Sequence, residues 1–471
     1  MAAAAASSLL LALLLSLATA QAWEALPLQK RAFYSPSFSM APGSVAFDYF
    51  YDVEFPRGHL ALKSFRADVV DADDNVIPYH EVYLHHSYIV RYYQARNYSI
   101  PPVLDIETLP YGDGFIYRRN HGICQGDLLG QYFGLGTEMQ STPTAVPDPY
   151  GIEIGNPAPI PHGFDEKWLL VVHAIDTRGA VDRFGCAECR RDLYNVTVDQ
   201  FGEPLKDDYY GGLSCCYAHT QCKVREDYEG TTRSLRMRYT LTWTEWVPSI
   251  IPVRVYIFDV TDDMKLVVNP SSGAVAAKHD CLIEYMVESC HVDGNGEKGC
   301  ADFKKSIVAM PKGGNVIFGL THLHSGAINS TLYGQDGRVL CTTKPIYGEG
   351  MEEGYIVGMS TCYPEPGSVW IDDGELMVHE SVYTAERRRT GVMALFYLLV
   401  ADRVADTPAA PAGFNDNYFM GVRSMLAEKL AGGGGGAVRS GDGGASGAFV
   451  GVGLVLLGAV ATALLLRVKR S

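Results

Sequence analysis

The chain has 471 residues, of which 54 are acidic and 39 are basic, so its formal net charge is −15 with histidine neutral. Binding to nucleic acid depends on a basic surface that neutralises phosphates, and this acidic balance excludes a nucleic-acid partner. Between the two apolar ends of the chain about 380 residues remain, which is enough for two folded domains.

The first predicted element is a secretory signal peptide at residues 1–22. Residues 3–20 form an apolar run, and small residues around Ala20 and Ala22 place the cleavage site near Ala22. The rest of the chain is then expected in the secretory pathway, where disulfides form and persist.

Most of the chain that follows has the pattern of β-strands. Short runs rich in Val, Ile, Tyr, Phe and Thr, such as VAFDYFYDVEF and GVMALFYLLVA, are separated by Gly, Pro and Asp turn signals. This pattern predicts an all-β fold with two tandem β-sandwich domains, jelly-roll-like, at residues 30–180 and 241–405. A polar segment at residues 181–240 separates the two predicted domains.

The first predicted domain contains an adjacent histidine pair and a later single histidine. His85 and His86 lie in YLHHSYI, and His173 lies in KWLLVVHAID. Imidazole is the commonest side-chain metal ligand, and it suits copper, zinc and iron. Because successive side chains on a strand point to opposite faces, the adjacent pair reaches one ion only where a bulge or a turn bends the backbone.

The segment at residues 181–240 is predicted to be a cysteine-rich insertion. Its cysteines are Cys186, Cys189, Cys215, Cys216 and Cys222. In an exported chain they predict disulfides that staple the insertion, with a zinc site as the alternative. Since the whole chain has 11 cysteines, at least one thiol is expected to stay unpaired.

The second predicted domain contains two alternating histidines. His322 and His324 lie in GLTHLHSG, and on a strand this spacing puts both rings on one face. Both rings can then reach one ion. With the three histidines of the first domain, they make a copper site the hypothesis to test.

Three sequons predict N-linked glycosylation. They begin at Asn97, Asn195 and Asn329. Glycosylated asparagines lie on surface loops of secreted proteins, so these three residues are expected to be accessible.

The chain ends in a predicted stalk, membrane helix and cytosolic tail. Residues 406–447 include a glycine-rich run and are predicted to be a flexible linker. Residues 448–466 are uncharged and, at about 1.5 Å per residue, cross one bilayer core. The basic residues at 467–471 mark the cytosolic side, so the bulk of a single-pass protein is expected in the lumen or outside the cell, at the plasma membrane or an endomembrane. A GPI signal, with small residues at 446–448, is the alternative.

Four segments of the chain resemble the plant stress up-regulated nodulin family. They are FYSPSFSMAPGSVAFDYFYDVEFPRGHLALKSF, YLHHSYIVRYY, GYIVGMSTCYPEPG and TGVMALFYLLVAD. The resemblance runs from about Phe33 to Asp402. It implies a family and a link to stress, and it implies no particular reaction.

The order of the histidines is also similar to that of the copper type II, ascorbate-dependent monooxygenases, which include peptidylglycine hydroxylase and dopamine β-hydroxylase. This resemblance implies two β-sandwiches that each hold one copper ion. The implied ligands are His85, His86 and His173 for the first ion and His322, His324 and Met393 for the second. A thioether beside imidazoles favours Cu(I). Tyr397 matches a tyrosine of the family and is a weaker candidate for substrate binding.

One departure from the monooxygenase pattern bears on the substrate. The peptide hydroxylases have an arginine two residues before the alternating histidines, where it holds a substrate carboxylate. This chain has Leu320 at that position. A peptidyl-glycine substrate is therefore not expected.

Two classes of function follow from these observations. The first is a membrane-anchored, extracytoplasmic copper monooxygenase that hydroxylates a small molecule with ascorbate as the reductant. The alternative is a non-catalytic cell-surface protein of the same fold, which binds copper, a glycan or a partner or has a structural role. Convergence of all six candidate ligands in a solvent-facing cleft would favour the first class.

Overall fold

The computed structural model describes residues 27–100, 114–122, 124, 136–142, 144–268, 275–290 and 300–402. Within these ranges, no helix is both long enough and apolar enough to cross a membrane. Four predicted elements lie outside the described residues: the signal peptide (1–22), the stalk (406–447), the transmembrane helix (448–466) and the cytosolic tail (467–471).

The described chain is built almost entirely of β-strands, and the all-β prediction is confirmed. In chain order the strands are β1 (Gln29–Tyr34), β2 (Phe38–Met40), β3 (Val45–Phe50), β4 (Leu60–Val70), β5 (Val82–Ala95), β6 (Phe115–Tyr117), β7 (Thr144–Ala145), β8 (Tyr150–Ile154), β9 (Phe164–Asp176), β10 (Arg233–Glu245), β11 (Ile251–Asp259), β12 (Lys265–Val268), β13 (Val275–Lys278), β14 (Glu284–Val287), β15 (Ala301–Ala309), β16 (Gly314–Leu323), β17 (Ala327–Tyr333), β18 (Val339–Thr343), β19 (Pro345–Tyr347), β20 (Ile356–Met359), β21 (Trp370–Ile371), β22 (Leu376–Thr384) and β23 (Arg389–Ala401). The helical elements are α1 (Arg183–Ala187) and the 3-10 turns η1 (Thr137–Gln140), η2 (Arg191–Leu193) and η3 (Gly350–Glu352).

Two kinds of strand can be distinguished by their side chains. In β10 every second residue is buried, namely Leu235, Met237, Tyr239 and Leu241, and the residues between them are more exposed. This alternation is typical of a strand with one face on a core. In β16 and β23 every residue is buried. Their nearly continuous apolar runs fit strands that are covered on both faces.

The strands form one long sheet and two smaller ones. The long sheet has 11 strands, with the central order β1-β10-β4-β8-β11-β23-β16-β21. Two four-stranded sheets have the orders β3-β9-β5-β6 and β15-β22-β17-β18. Two hairpins, β12-β13 and β19-β20, complete the described strands.

Each four-stranded sheet shares a core with a different part of the long sheet. In the first core, Phe65 and Leu241 of the long sheet belong to the same apolar cluster as Leu170 of β9. In the second core, Val316 of β16 clusters with Met377 of β22. Burial of a large apolar side chain stabilises the folded state by about 1.5–3 kcal/mol, so these β-sandwich contacts hold the sheets together.

The cysteine-rich segment lies between β9 and β10 and contains α1 and η2. Two disulfides, Cys186–Cys222 and Cys189–Cys216, close it. The prediction that disulfides staple this segment is confirmed. Because these four sulfur atoms are bonded in pairs, they do not form the alternative zinc site.

Three further disulfides lie outside this segment. They are Cys124–Cys281, Cys290–Cys300 and Cys341–Cys362. Cys215 is the one cysteine with a free thiol, and it is buried. The expected unpaired thiol is therefore present, next in sequence to a disulfide-bonded cysteine.

Candidate metal centre

The adjacent histidine pair lies on β5, where the pairing of β5 with β9 is irregular. Leu84 pairs with Ala174 and His86 pairs with His173, so His85 is an extra residue on β5. An extra residue in one strand forms a β-bulge, which bends the strand and re-aims its side chains. The ring centroids of His85 and His86 lie 4.3 Å apart, side by side. The bend that an adjacent pair requires is present.

His173 lies on β9 between Phe47 of β3 and His86 of β5. The Phe47 ring stacks on the imidazole with the centroids 4.6 Å apart. Nε2 of His173 lies 2.7 Å from the carbonyl oxygen of Cys216, and because a carbonyl only accepts, Nε2 is the donor. Nδ1 of His173 therefore keeps its lone pair, and it faces Nδ1 of His86 at 3.4 Å.

The alternating histidines lie at the end of β16, beside β23. His322 pairs with Leu395, and the antiparallel register brings His324 level with Met393. The Nε2 atoms of His322 and His324 are 3.2 Å apart. The sulfur atom of Met393 lies 3.3 Å from Nε2 of His86. The thioether thus links the two groups of histidines.

All five histidines lie in contact. The ring centroid of His85 is 4.7 Å from that of His173 and 4.9 Å from that of His324, and the His86 centroid is 5.2 Å from that of His322. Ligand atoms of His85, His86 and His324 all lie within 4.8 Å of one another. Together with Met393, the five residues form the histidine centre, which consists of His85, His86, His173, His322, His324 and Met393.

The histidine centre joins ligands that the resemblance to the monooxygenases assigns to two separate coppers. His86 belongs to the first implied set, and it contacts Met393 and His322 of the second. β5 and β9 form part of a four-stranded sheet, and β16 and β23 belong to the long sheet. Both sets meet because these strands pack in one shared core. The described residues therefore provide one centre with six donors, in place of two separate cavities.

The centre is almost closed to solvent. His85, His173, His322, His324 and Met393 are each at most 3% exposed. His86 is partly exposed and is the only one of the six with appreciable access to solvent. A small ion can therefore be enclosed here, and it would approach from the side of His86.

Protein groups hold the far nitrogens of two other rings. The buried carboxylate of Glu138, in η1, lies 3.1 Å and 3.2 Å from Nδ1 of His322 through its two oxygens. The His324 ring hydrogen-bonds to the backbone of Gly391. Ligating histidines commonly engage a carboxylate or a carbonyl in this way, which fixes the tautomer and directs the other nitrogen to the metal.

A tyrosine couples the backbones of two candidate ligands. The Tyr383 hydroxyl accepts a hydrogen bond from the backbone N–H of His324 at 2.9 Å. It donates one to the carbonyl of Met393 at 2.6 Å. Tyr383 is fully buried, so this link fixes the relative position of β16 and β23 at the centre.

The rings are held neutral. Burial, followed by the proximity of the other imidazoles, places the pKa of His85, His86 and His324 well below the usual 6.5. Burial also lowers the pKa of His173 to about 4, although its hydrogen bond to Cys216 opposes this shift. Neutral imidazole is the form that binds a metal, so no proton has to leave these four rings at neutral pH.

The donor atoms fit a transition-metal ion. Two nitrogens bound to one tetrahedral ion at about 2.0–2.1 Å lie about 3.3 Å from each other. The separation of 3.2 Å between the Nε2 atoms of His322 and His324 matches that geometry. Nε2 of His86 and the sulfur atom of Met393 are 3.3 Å apart, close to the roughly 3.5 Å between a nitrogen and a sulfur ligand of one tetrahedral ion. Nε2 of His85 is buried and has no hydrogen-bond partner among the described residues. Imidazoles with a thioether form a donor set that suits copper.

The remaining candidate residues lie elsewhere. Tyr397 is buried, packs edge-on against Phe318 and has a hydroxyl with no hydrogen-bond partner in the described structure. Asn97 and Asn195 are exposed and Asn329 is partly exposed, so all three sequons are accessible.

Two features of the site were missed from the sequence. Glu138 has no sequence signal, because a single glutamate in an irregular segment resembles any surface carboxylate. The disulfide between Cys189 and Cys216 lies beside His85. The cysteine motif was visible in the sequence, but its proximity to a histidine 104 residues away was not.

Comparisons with known proteins identify the family of the chain. The family model described as Stress up-regulated Nod 19 matches residues 27–403. No curated protein matches the chain. The Cry4Aa toxin of Bacillus thuringiensis is similar at 8% identity and a TM-score of 0.16, with 77% of this chain and 59% of the toxin chain covered. Infectious bursal disease virus, Gx strain, gives 10% identity and a TM-score of 0.12, with 87% and 90% covered. The chain thus spans less than two thirds of the toxin, and TM-scores this low support no argument.

Proposed function

The chain belongs to the Stress up-regulated Nod 19 family, and we propose that it is an extracytoplasmic copper-binding protein. The observation that carries the proposal is the convergence of five imidazoles and one thioether in a single, nearly closed centre. The ligands come from β5, β9, β16 and β23, so only the folded chain assembles them.

The composition of the centre favours a metal over a structural cluster. Buried polar groups are normally hydrogen-bonded, and an unpaired one costs free energy. Nε2 of His85 has no hydrogen-bond partner among the described residues, and the His322 and His324 nitrogens face each other. An ion between these atoms would engage their lone pairs.

The donor set favours copper, and Cu(I) in particular. Methionine is a soft ligand that selects Cu(I) over harder ions, whereas imidazole alone accepts zinc as well. His322, His324, His86 and Met393 would hold the ion, with His85 and His173 beside them. Glu138 would keep Nδ1 of His322 protonated. Copper, when bound, would supply one-electron redox chemistry.

An ascorbate-dependent monooxygenase is the second candidate, and one observation favours it. A cleft of about 930 Å³ is lined by Ser325, which follows His324 in the chain, and by Gly326, Thr384 and Arg389 among others. A small molecule would fit there, close to the centre. The contact between the two implied ligand sets argues for a shared centre, so we place copper binding first and substrate hydroxylation second.

The proposed location follows from the ends of the chain and the disulfides. Five disulfides are consistent with an oxidising compartment. We propose entry through the signal peptide, anchorage by residues 448–466 and a lumenal or extracellular body of two tandem β-sandwiches. In this arrangement the copper centre would face the secretory pathway or the cell exterior.

The test is the copper content of the purified full-length protein after reconstitution with Cu(I). We expect about one ion per chain, retained against a competing chelator as in other mixed imidazole–thioether sites. The His322→Ala, His324→Ala double variant should lose it. His379→Gln is the matched control, because His379 is equally buried but hydrogen-bonds Ser330 in the other core. Copper-free wild-type protein with a folded spectrum would refute the proposal.

Met393→Leu tests the choice of metal. Leucine conserves the volume, so we expect less than about 1.5 kcal/mol loss of stability. Affinity for Cu(I) should fall at least about tenfold, whereas affinity for Zn²⁺ should change little, because only the soft ion prefers the thioether. Competition titrations with both metals measure the two affinities. An equal loss for both would mean that Met393 supports the centre by packing alone.

The second candidate needs its own measurement. We measure the rate of oxygen consumption with ascorbate and small phenolic or amine substrates. The copper-loaded wild-type protein should consume oxygen faster than the His322→Ala, His324→Ala variant. Equal rates would leave copper binding without this activity.

A further inference from the structure

A disulfide of the cysteine-rich segment lies directly against the histidine centre. The sulfur atoms of Cys189 and Cys216 are 3.7 Å and 3.9 Å from Nδ1 of His85. All three residues are buried, and their ligand atoms lie within 4.8 Å of one another. In a tetrahedral site with metal–sulfur bonds of about 2.3 Å and metal–nitrogen bonds of about 2.0 Å, nitrogen and sulfur are about 3.5 Å apart. The distances from Nδ1 of His85 to the two sulfur atoms are therefore close to those between metal ligands, whereas the two sulfur atoms are bonded to each other and become separate donors only after reduction.

The ring of His85 adds a second, independent observation. Its Nε2 is buried and has no hydrogen-bond partner among the described residues. Among the residues that the structure describes, the hydrogen-bond contacts of its Nδ1 are the two bonded sulfur atoms. A structural histidine normally has a hydrogen-bond partner on at least one nitrogen. His85 instead has the surroundings of a ligand.

From these contacts we infer that Cys189 and Cys216 are redox-controlled ligands of the histidine centre. In the disulfide state the centre offers imidazoles and a thioether. Reduction of the disulfide adds two thiols next to His85, and these bind a soft metal ion as thiolates. The inference rests on the proposed function, because it concerns the same centre and the same class of ion.

The change of state balances as ordinary thiol–disulfide chemistry. A dithiol reductant supplies two electrons and two protons, the bond between the two sulfur atoms breaks, two S–H bonds form and the reductant becomes a disulfide. Binding of the ion then displaces one proton from each thiol that ligates it. The metal ion itself changes no oxidation state.

The expected consequence is that copper affinity depends on the redox state. Thiolates are softer than imidazole, so the reduced form binds Cu(I) more tightly. We expect a gain of at least about tenfold, since even partners outside the first ligand shell change metal affinity by that factor. Oxidation removes both thiolates and weakens the hold on the ion.

The chain contains its own matched control. Cys186–Cys222 staples the same segment and is just as buried. Among the described residues its sulfur atoms have no hydrogen-bond contact with a histidine. Cys215 is a buried free thiol next to Cys216, so every protein in the test carries Cys215→Ser to prevent exchange.

The test uses single substitutions, because they liberate a thiol without any reductant. In the full-length protein, Cys189→Ser leaves the Cys216 thiol beside His85, and Cys216→Ser leaves the Cys189 thiol. The control, Cys186→Ser, leaves the Cys222 thiol. Each protein is titrated with Co²⁺, because the charge-transfer absorption of a thiolate–cobalt bond cannot arise from imidazole. Cu(I) affinity is measured by competition in parallel.

The inference predicts a thiolate–cobalt band and tighter Cu(I) binding in Cys189→Ser and Cys216→Ser, and neither in Cys186→Ser. Addition of His85→Gln to Cys216→Ser should weaken the band. Absence of the band in the folded variants, or a band of equal strength in Cys186→Ser, would overturn the inference. Copper binding by the disulfide-bonded parent, which carries only Cys215→Ser, is measured separately. If the parent binds copper and no band forms, this inference fails and the proposed function stands; if a band forms without copper in the parent, the proposed function fails.

A second route applies if the single variants do not fold, as judged by circular dichroism. The parent is treated with a phosphine reductant, and alkylation with mass spectrometry identifies which disulfides have opened. Appearance of the cobalt band together with opening of Cys189–Cys216 supports the inference. Opening of that disulfide in folded protein without the band contradicts it.

Discussion

At the scale of single residues, the centre depends on what each imidazole does with its second nitrogen. Glu138 engages His322, the Cys216 carbonyl engages His173 and the Gly391 backbone engages His324. In each ring the other nitrogen keeps a lone pair for an ion. The ligands are therefore oriented before any ion arrives, and orientation of this kind raises metal affinity.

Glu138→Ala should weaken copper binding by about 10–100-fold, because His322 loses the acceptor that fixes its tautomer. Glu138→Gln is the control, since its amide oxygen can still accept from Nδ1 of His322. Competition titration with a Cu(I) chelator measures both. If the alanine and glutamine variants bind copper equally well, Glu138 does not position the ring.

The neutral rings predict a pH dependence of the metal-free protein. Burial lowers the pKa of His173 from 6.5 to about 4, and the pKa of His85, His86 and His324 is lowered in the same direction. Below about pH 6.5 the unfolded chain binds protons that the folded chain does not. The contribution of these rings to the free energy of unfolding is therefore fully present above that pH and is lost as the pH falls. Each imidazole then removes about 1.4 kcal/mol per pH unit from the free energy of unfolding.

Urea unfolding between about pH 6.5 and about pH 5 measures this slope. His173→Gln, which does not titrate, should reduce it by about 1.4 kcal/mol per pH unit. His162→Gln is the control, because His162 is exposed and should leave the slope unchanged. A slope in His173→Gln equal to that of the wild type would mean that His173 is not held neutral.

At the scale of secondary-structure elements, the cysteine-rich segment covers the centre and is tied to β23. Glu188, which follows α1, forms ion pairs with Arg387 at 2.8 Å and with Arg389 at 3.2 Å. Thr390 donates to the Glu188 carbonyl at 2.7 Å. Since Cys189 is the next residue, this contact holds the disulfide against His85.

Glu188→Gln should lower the free energy of unfolding by about 3 kcal/mol, because it leaves the largely buried guanidinium of Arg389 without a counter-charge. Glu288→Gln is the matched control. Glu288 pairs with Arg388 at 3.1 Å, but its side chain is 66% exposed, so its loss should cost less than about 1 kcal/mol. Urea denaturation of both proteins measures the difference. Equal losses of stability would show that the ion pairs of Glu188 do not hold the cysteine-rich segment against β23.

At the scale of the whole molecule, the centre exists because two halves of the chain pack together. The long sheet contains strands from both halves, and β8 joins β11 in a short parallel pair. The disulfide Cys124–Cys281 spans 157 residues and links the halves covalently. The centre takes His85, His86 and His173 from one half and His322, His324 and Met393 from the other.

Removal of that disulfide by Cys124→Ala, Cys281→Ala should destabilise the protein by about 5 kcal/mol, because it frees a long loop in the unfolded chain. The control removes Cys290–Cys300, which closes a span of only 10 residues, and should cost about 3 kcal/mol. Free energies of unfolding from urea titrations compare the two. A smaller loss for the long loop would contradict the entropic account.

The sequence alone was informative about local structure. The period-two pattern of β10 and the unbroken apolar run of β23 predicted strands, because residue alternation and burial are properties of neighbouring residues. The need for a bend at His85 and His86, and the shared face of His322 and His324, followed from strand geometry. The cysteines of 181–240 predicted disulfides, and four segments identified the family.

Only the tertiary structure decided which of these features meet. Two sets of candidate ligands from opposite halves of the chain form one centre, since their strands belong to two sheets that share a core, and no local pattern encodes that pairing. The partners of Cys189 and Glu138, the acceptors behind His173, His322 and His324 and the near closure of the site arise in the same way. Strand formation depends on neighbouring residues, whereas a metal centre would depend on contacts between distant ones, so the sequence determined the candidate ligands and the fold determined where they meet.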